Sequence, residues 1–288
     1  MSHSRSDVIL LWGLRACAMV TGTLVLLIVL FLCVEAMPVL GKVGIVRFVS
    51  GAGWYPAIDA ADGQFNLLPM IVATLLTTGG AILLAAPMGI GSAVFAHFYA
   101  PRPLGRAFGK IIELLAGIPS VIYGLWGLVV LVPLIAAWQP PGTSLLSAIV
   151  VLTIMIIPTI ALVVGATFDN LPRDYLDSAA ALGLSRWRTV VSVALPAAKS
   201  GLFTAVLLGA GRAIGETMAV LMVAGNVVQT PHSLFAPVRT LTANIALEMA
   251  FALGDHRAAL FVSGLVLMVM IIVLVSGAEV FSKGRLYG

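Results

Sequence analysis

Arg212 and Glu216 stand four residues apart within Gly209-Ala210-Gly211-Arg212-Ala213-Ile214-Gly215-Glu216-Thr217, a stretch otherwise free of charge. On a helix that interval puts both side chains on one face, where they can pair. An ionised arginine at the centre of a bilayer costs on the order of +2.5 to +3.5 kcal/mol, so in a membrane span both groups should face a bundle interior. Two uses fit the pair. It could be a structural ion pair that pins helix packing, or Arg212 could help a hydrated anion along a pathway while Glu216 tunes its availability. A guanidinium suits a tetrahedral oxyanion because its planar fork donates parallel hydrogen bonds. Arg212 and Glu216 are therefore the candidate substrate-pathway residues.

A second constellation is conformational. Asp177-Ser178-Ala179, Gly183 and Val193-Ala194-Leu195-Pro196 predict two short helices with a glycine bend between them and a proline at the far end. Gly183 can supply the left-handed residue that ends a helix, and Pro196 suits the first turn of the next one. A loop shaped as a bent helical knob is suited to fitting a partner. Glu113 has a simpler reading: a carboxylate in the first turn of the third span, favoured by the helix dipole.

Other chemistry is missing from the sequence. It has no Gly-x-x-x-x-Gly-Lys-Ser/Thr phosphate loop, so ATP hydrolysis is not expected of this chain. His3, His97, His232 and His256 are scattered, and neither a metal site nor a catalytic nucleophile–base set is expected. Cys17 and Cys33 both fall in the first apolar run, about 24 Å apart along a helix, beyond disulfide reach. No cofactor is expected.

The elements that must position these residues follow from composition. The chain has 288 residues, 60% of them hydrophobic and only 10% charged, with a mean hydropathy of +1.10. Soluble domains run near a quarter charged, so the fold class is an all-α integral membrane protein. Six transmembrane helices are expected at about 12–36, 67–96, 111–137, 144–168, 201–228 and 257–281. Eleven basic residues (Arg5, Arg15, Arg102, Arg106, Lys110, Arg173, Arg186, Arg188, Lys199, Lys283 and Arg285) fall on one side of that plan. Lys42, Arg47, Arg239 and Arg257 fall on the other, which places both termini in the cytoplasm. The net charge of +4 is then a topology signal beside a lipid bilayer, and nucleic acid is not an expected partner.

The expected organisation is an N-terminal helix with an external loop (1–66), a core (67–281) with a cytoplasmic loop at about 169–200, and a tail (282–288). Ala205, Gly209 and Ala213 repeat at the four-residue interval that lets helix backbones approach. Residues 241–251 read as an external interfacial or re-entrant helix.

The knob resembles the Glu-Ala-Ala loop of ATP-binding-cassette (ABC) importer permeases, with Asp177 for Glu, Ser178 for the first Ala, Ala179, Gly183, Val193 for Ile, Leu195 and Pro196. Two further stretches, Glu113-Leu-Leu-Ala-Gly-Ile-Pro119-Ser120-Val-Ile-Tyr123-Gly124-Leu-Trp126-Gly127 and Gly211 to Val220, look like the permeases of the phosphate-specific importer. The continuation to Gly225-Asn226 is more similar to the PstC type than to its PstA-type sister. The resemblance implies a five-helix type I importer core plus one N-terminal helix, in a bacterial inner membrane. It also implies a second homologous, PstA-like permease, two cytoplasmic ATPase subunits and an extracytoplasmic phosphate-binding protein. Phosphate would be the substrate and another oxyanion, sulfate or molybdate, the nearest alternative; a self-contained secondary transporter or channel is the more distant one. It assigns phosphate passage to Arg212 and Glu216, and ATPase coupling to Asp177, Ala179, Gly183, Val193, Leu195 and Pro196.

Overall fold

A computed structural model describes residues 5–51 and 53–283, with side chains over 10–51 and 53–277. The chain divides into two compact units, residues 1–66 with 248–268, and residues 67–247 with 269–288.

The first unit begins with α1 (Arg5–Val43). From Leu10 to Ile28 it is apolar on almost all sides and exposed, Val29, Leu32 and Cys33 are half-buried, and Ala36, Val39 and Val43 are buried, as suits a helix surrounded by lipid over much of its length. The helix runs through Pro38 to a stop at Gly44 (φ 78°), so residues 38–43, expected in a loop, are helical. A short helix α2 (Arg47–Ser50) and a hairpin of β1 (Trp54–Tyr55) with β2 (Gln64–Phe65) follow, in register Trp54 opposite Phe65. Phe48, Trp54 and Phe65 stack into a small aromatic core.

Polar contacts tie this cap to residues 248–256. Lys42 Nζ donates to Asp255 Oδ2 at 2.7 Å, and Ala60 N–H donates to the same oxygen at 2.9 Å. Trp54 Nε1–H donates to Glu248 Oε2 at 2.8 Å, with His256 Nε2 2.9 Å from that oxygen.

The second unit starts with α3 (Leu68–Val94), which runs into a π-helical turn at Phe95–Tyr99. Next come α4 (Arg102–Gly117), α5 (Ser120–Trp126), a π turn at Gly127–Leu131, and α6 (Val132–Ala136). The central helix is α7 (Leu145–Asp169). Then follow α8 (Arg173–Ala181), α9 (Arg186–Thr189), a π turn at Val190–Ala194 and α10 (Leu195–Ala197). The remaining helices are α11 (Lys199–Ile214), α12 (Met218–Val223), α13 (Leu241–Glu248) and α14 (Gly254–Lys283). Residues 284–288 of the expected tail lie outside the described residues.

Among the described residues, four helices are long and apolar enough to cross a bilayer, or up to six if each of two bent pairs counts as one span. The bends refine the expected boundaries. The third span starts at Ser120, because α4 meets the following segment at 92° across Ile118–Pro119. Glu113 therefore sits late in α4 and not in a first turn, so the dipole does not account for it.

Small residues set the helix packing. Gly80 faces Ile149, and Gly89 and Gly209 both face Ile160, each close enough that an added Cβ would be crowded. Ala205, Gly209 and Ala213 are all buried, as their spacing predicts. The Gly80–Ile149 and Gly89–Ile160 contacts make α3 and α7 parallel; Gly201 against Thr167 and Gly209 against Ile160 make α11 antiparallel to α7.

Each π turn ends two residues before a proline: Pro101, Pro133 and Pro196. In each case the residue before that proline donates its N–H to a carbonyl five residues back. A proline has no N–H and crowds the carbonyl four residues behind it. Widening the preceding turn moves the last bond to the carbonyl six residues before the proline, which relieves the clash.

Candidate functional site

The fifth span is broken where its charges lie. Helix α11 ends at Ile214, Gly215 caps it and α12 begins at Met218. The expectation of one continuous helix through Glu216 is therefore corrected. With the helix interrupted at Gly215, the four-residue interval no longer brings the two side chains together, and among the described residues Arg212 and Glu216 form no ion pair.

Each charged group has another neighbour instead. Arg212 Nη1–H donates to Thr159 Oγ1 at 3.0 Å, at about mid-length of α7. The guanidinium also lies within electrostatic range of Tyr123 on α5, whose hydroxyl donates to the Leu115 carbonyl at 2.7 Å. Glu216 Oε1 accepts the Ala219 N–H at 3.1 Å, satisfying one of the free donors that open α12. The Glu216 carbonyl accepts from Thr242 Oγ1 at 2.9 Å, which fastens the break to α13. At the first residue of α13, Leu241 N–H donates to Thr74 Oγ1 of α3 at 3.1 Å.

Gly215 and Met218 at this break are exposed, while Arg212, Glu216 and Thr217 are half-buried. Non-helical backbone in the hydrocarbon region is tolerated only against protein or in a water-lined cavity. At the depth fixed by Thr159, the exposed side of this break must face a partner or an aqueous path. A cation whose only hydrogen bond among the described residues goes to a neutral hydroxyl keeps donors for an oxyanion there.

The segment after α12 departs from the expectation, which carried the fifth helix on to 228: the helix stops at Val223 and Gly225 takes a positive φ. Asn226 takes φ 56°, and the chain returns so that Val238 N–H donates to the Ala224 carbonyl at 2.8 Å. The Val223, Ala236 and Leu234 carbonyls accept the N–H groups of Ser144, Leu145 and Leu146. This strap thus caps the first turn of α7, whose donors would otherwise be unpaired. Arg239 braces it, with Nε to the Asn226 carbonyl at 2.9 Å and Nη1 to Asn244 Oδ1 at 3.1 Å. Thr159 and Arg239 were missed; a threonine after a proline in an apolar run was the one available signal for the first.

At the opposite end of α7 the knob takes shape. Helix α8 carries Asp177 and a buried Ala179 and stops at Leu182; Gly183 takes φ 68° with open space where a Cβ would stand, and Ser185 caps α9 by accepting the Arg188 N–H. Val193 lies in the π turn, and Leu195 and Pro196 lie in α10. The chain turns by 73° at Ala198, two residues later than the proline-based boundary, because the π turn absorbs Pro196. Leu182, Trp187 and Tyr175 stand out as exposed apolar side chains on the knob. Among the described residues there is no group of histidine, cysteine or carboxylate side chains able to hold a metal.

Comparison with known proteins adds family context. Residues 85–286 match the family model described as binding-protein-dependent transport system inner membrane component. The phosphate transport system permease protein PstC of Mesorhizobium japonicum is 37% identical over 254 residues, covering 81% of this chain and 76% of that protein. The probable ABC transporter permease protein YqgH of Bacillus subtilis is 39% identical over 261 residues, covering 88% and 84%. A chain of a bacterial alginate ABC transporter, solved in complex with an alginate pentasaccharide-bound periplasmic protein, superposes with a TM-score of 0.67 at 16% identity, covering 99% of this chain and 98% of that one. A chain of the inward-facing MetNI methionine ABC transporter gives 0.58 at 19% identity, covering 76% and 93%. At those identities the solved structures bear on the fold alone.

Proposed function

Because the chain belongs to the family of binding-protein-dependent transport system inner membrane components, we propose that it is a permease subunit of an ATP-driven importer of inorganic phosphate, forming half of the translocation pathway. It is a multi-pass membrane protein, and its relatives are permease components rather than enzymes. The observation that carries the reading is the broken fifth span, which leaves Arg212 at mid-depth with a neutral partner. Relatives named as phosphate transport permeases support phosphate over other oxyanions.

The expected partners are a second homologous, PstA-like permease, two cytoplasmic ATPase subunits and an extracytoplasmic phosphate-binding protein. The parallel α3 and α7 deliver α4 and the α8–α9 knob to one end of the bundle; Arg102, Arg106, Lys110, Arg173, Arg186 and Arg188 lie in those segments and Lys199 opens α11 just after them. Such a bias supports a cytoplasmic position for that end and for both termini. There the knob, with Asp177, Ala179, Gly183, Val193, Leu195 and Pro196, would receive the closing motion of the ATPases. A rigid element transmits such motion and exposes the pathway to one side at a time.

Within the pathway, Arg212 offsets the dehydration of the anion. Glu216 keeps the end of the break in place through the Ala219 N–H and disfavours stable anion capture by its own charge.

The test is copurification with an ATPase and measurement of ATP turnover and uptake in proteoliposomes. Stimulation by phosphate-loaded binding protein is expected, with sulfate and molybdate failing to compete. Competition by those anions would reassign the substrate, and uptake by this chain without an ATPase would overturn the proposal.

A further inference from the structure

Helix α4 connects two membrane segments without being one. Sixteen residues long, it is joined to the π turn after α3 by Ala100 and Pro101 and to α5 by Ile118 and Pro119. Two-residue joints reach only about 7 Å, so neither end of α4 can leave the membrane surface. Its axis lies at 92° to the segment that follows. With that segment upright, α4 lies in the plane of the bilayer.

Its sequence divides into three faces at 100° per residue. Phe108, Ile112 and Leu115 form the protein side: Phe108 meets Phe95 edge-on at 5.7 Å, Ile112 is buried, and Gly105 on the same side sits against the Ala96 carbonyl. Leu104, Ile111 and Leu114 form a second face and are 49%, 53% and 74% exposed. Arg102, Arg106 and Lys110, spaced by four, form the third, and all three are exposed. Arg106, Lys110 and Glu113 border an open groove of about 610 Å³. Glu113 is the one acidic residue in the row, leaving it net positive. Exposed apolar side chains next to a basic row describe a helix half-sunk in an anionic interface, its long cations reaching up to the headgroups.

We propose that α4 is an in-plane membrane-surface helix whose basic row, Arg102, Arg106 and Lys110, binds the phosphodiester headgroups of anionic phospholipids. The row anchors the hinge at Ile118–Pro119, from which the segment carrying Tyr123 rises. The proposal does not depend on the identity of the transported anion.

The test uses the full chain in its assembled complex, reconstituted into phosphatidylcholine vesicles doped with spin-labelled phosphatidylglycerol or spin-labelled phosphatidylcholine. The parent protein is expected to immobilise the anionic lipid severalfold more than the neutral one. Arg106→Gln should remove most of that preference at low salt, and a smaller share of it at high salt. Loss of three charges elsewhere, in Arg173→Gln/Arg186→Gln/Arg188→Gln, should leave most of it. Equal immobilisation of both lipids by the parent would overturn the proposal, as would a preference that survives Arg102→Gln/Arg106→Gln/Lys110→Gln. Displacement of labelled phosphatidylglycerol by free inorganic phosphate would also overturn it, making the row an ion site. Should the triple variant fail to assemble, a nitroxide at Leu104→Cys with Cys17→Ala and Cys33→Ala decides. Preferential collision with oxygen supports an in-plane helix, and preferential collision with a water-soluble nickel complex sinks it.

Discussion

The molecule holds two centres of opposite charge, and they are built on contrasting principles. In the first unit Lys42 and Asp255 meet at 2.7 Å, and the Ala60 N–H occupies the same carboxylate oxygen. Asp255 is 6% exposed and has both a cation and a backbone donor. In the second unit Arg212 and Glu216 are close in sequence yet unpaired, and each is held by a neutral group, Thr159 or the Ala219 N–H. A charge already matched to its opposite has little left to offer a ligand. A guanidinium held by one hydroxyl keeps most of its five donors. The first centre is therefore read as a fastening and the second as a working site.

The sharpest attack on that contrast is Arg212→Gln, which keeps an amide but removes the charge. Loss of a charge-assisted hydrogen bond costs about 1.5–3 kcal/mol, so phosphate uptake per assembled complex should fall by about tenfold to a hundredfold or more. Uptake at the parent rate would remove Arg212 from the pathway.

Breaking the fastening should read out in a different quantity. Lys42→Met leaves a buried carboxylate without its cation, so thermal unfolding of the purified complex should shift downward and yield should drop. Uptake per folded complex should stay within about twofold, as for other substitutions away from a working site. A transport defect as deep as that of Arg212→Gln, with unfolding unchanged, would erase the distinction between the centres.

A milder test is Thr159→Val, which keeps the shape but removes the hydroxyl acceptor. A hydrogen bond from a guanidinium is charge-assisted, but here the charge itself stays in place, so uptake should fall only about threefold to tenfold, less than in Arg212→Gln, if Thr159 aims the guanidinium. The smallest effect is expected from Glu216→Gln, whose side-chain oxygen can still accept the Ala219 N–H. Uptake should change less than in Thr159→Val, and an effect larger than that of Arg212→Gln would make the Glu216 charge the primary group.

The sharpest limits of sequence reading lie at the breaks. Among the described residues the six apolar runs overlap the four long apolar helices and both bent pairs, and the four-residue spacing of Ala205, Gly209 and Ala213 correctly marked a packed face. The same spacing logic misled at Arg212 and Glu216, because a periodicity argument assumes an unbroken helix and Gly215 gives little warning of an interruption. The right-angle bend at Ile118–Pro119 was likewise hidden in a run that looked continuous. The start of the strap, 224–228, passed for the end of the fifth span, because the demand it meets, pairing the backbone donors of α7, is invisible in side-chain pattern.

By itself the sequence determined the all-helical membrane class, the small-residue packing faces, the bent shape of the knob at Gly183 and the presence of a cation within the fifth span. Each of these follows from local chemistry: hydropathy over a bilayer's length, the absence of a Cβ, or the cost of an unpaired charge. Only the tertiary structure decided what the charges touch. Whether Arg212 meets Glu216 or Thr159, and whether Lys42 finds Asp255 across 213 residues, depends on where helices stop and which neighbours their packing brings, and no spacing within one segment encodes that.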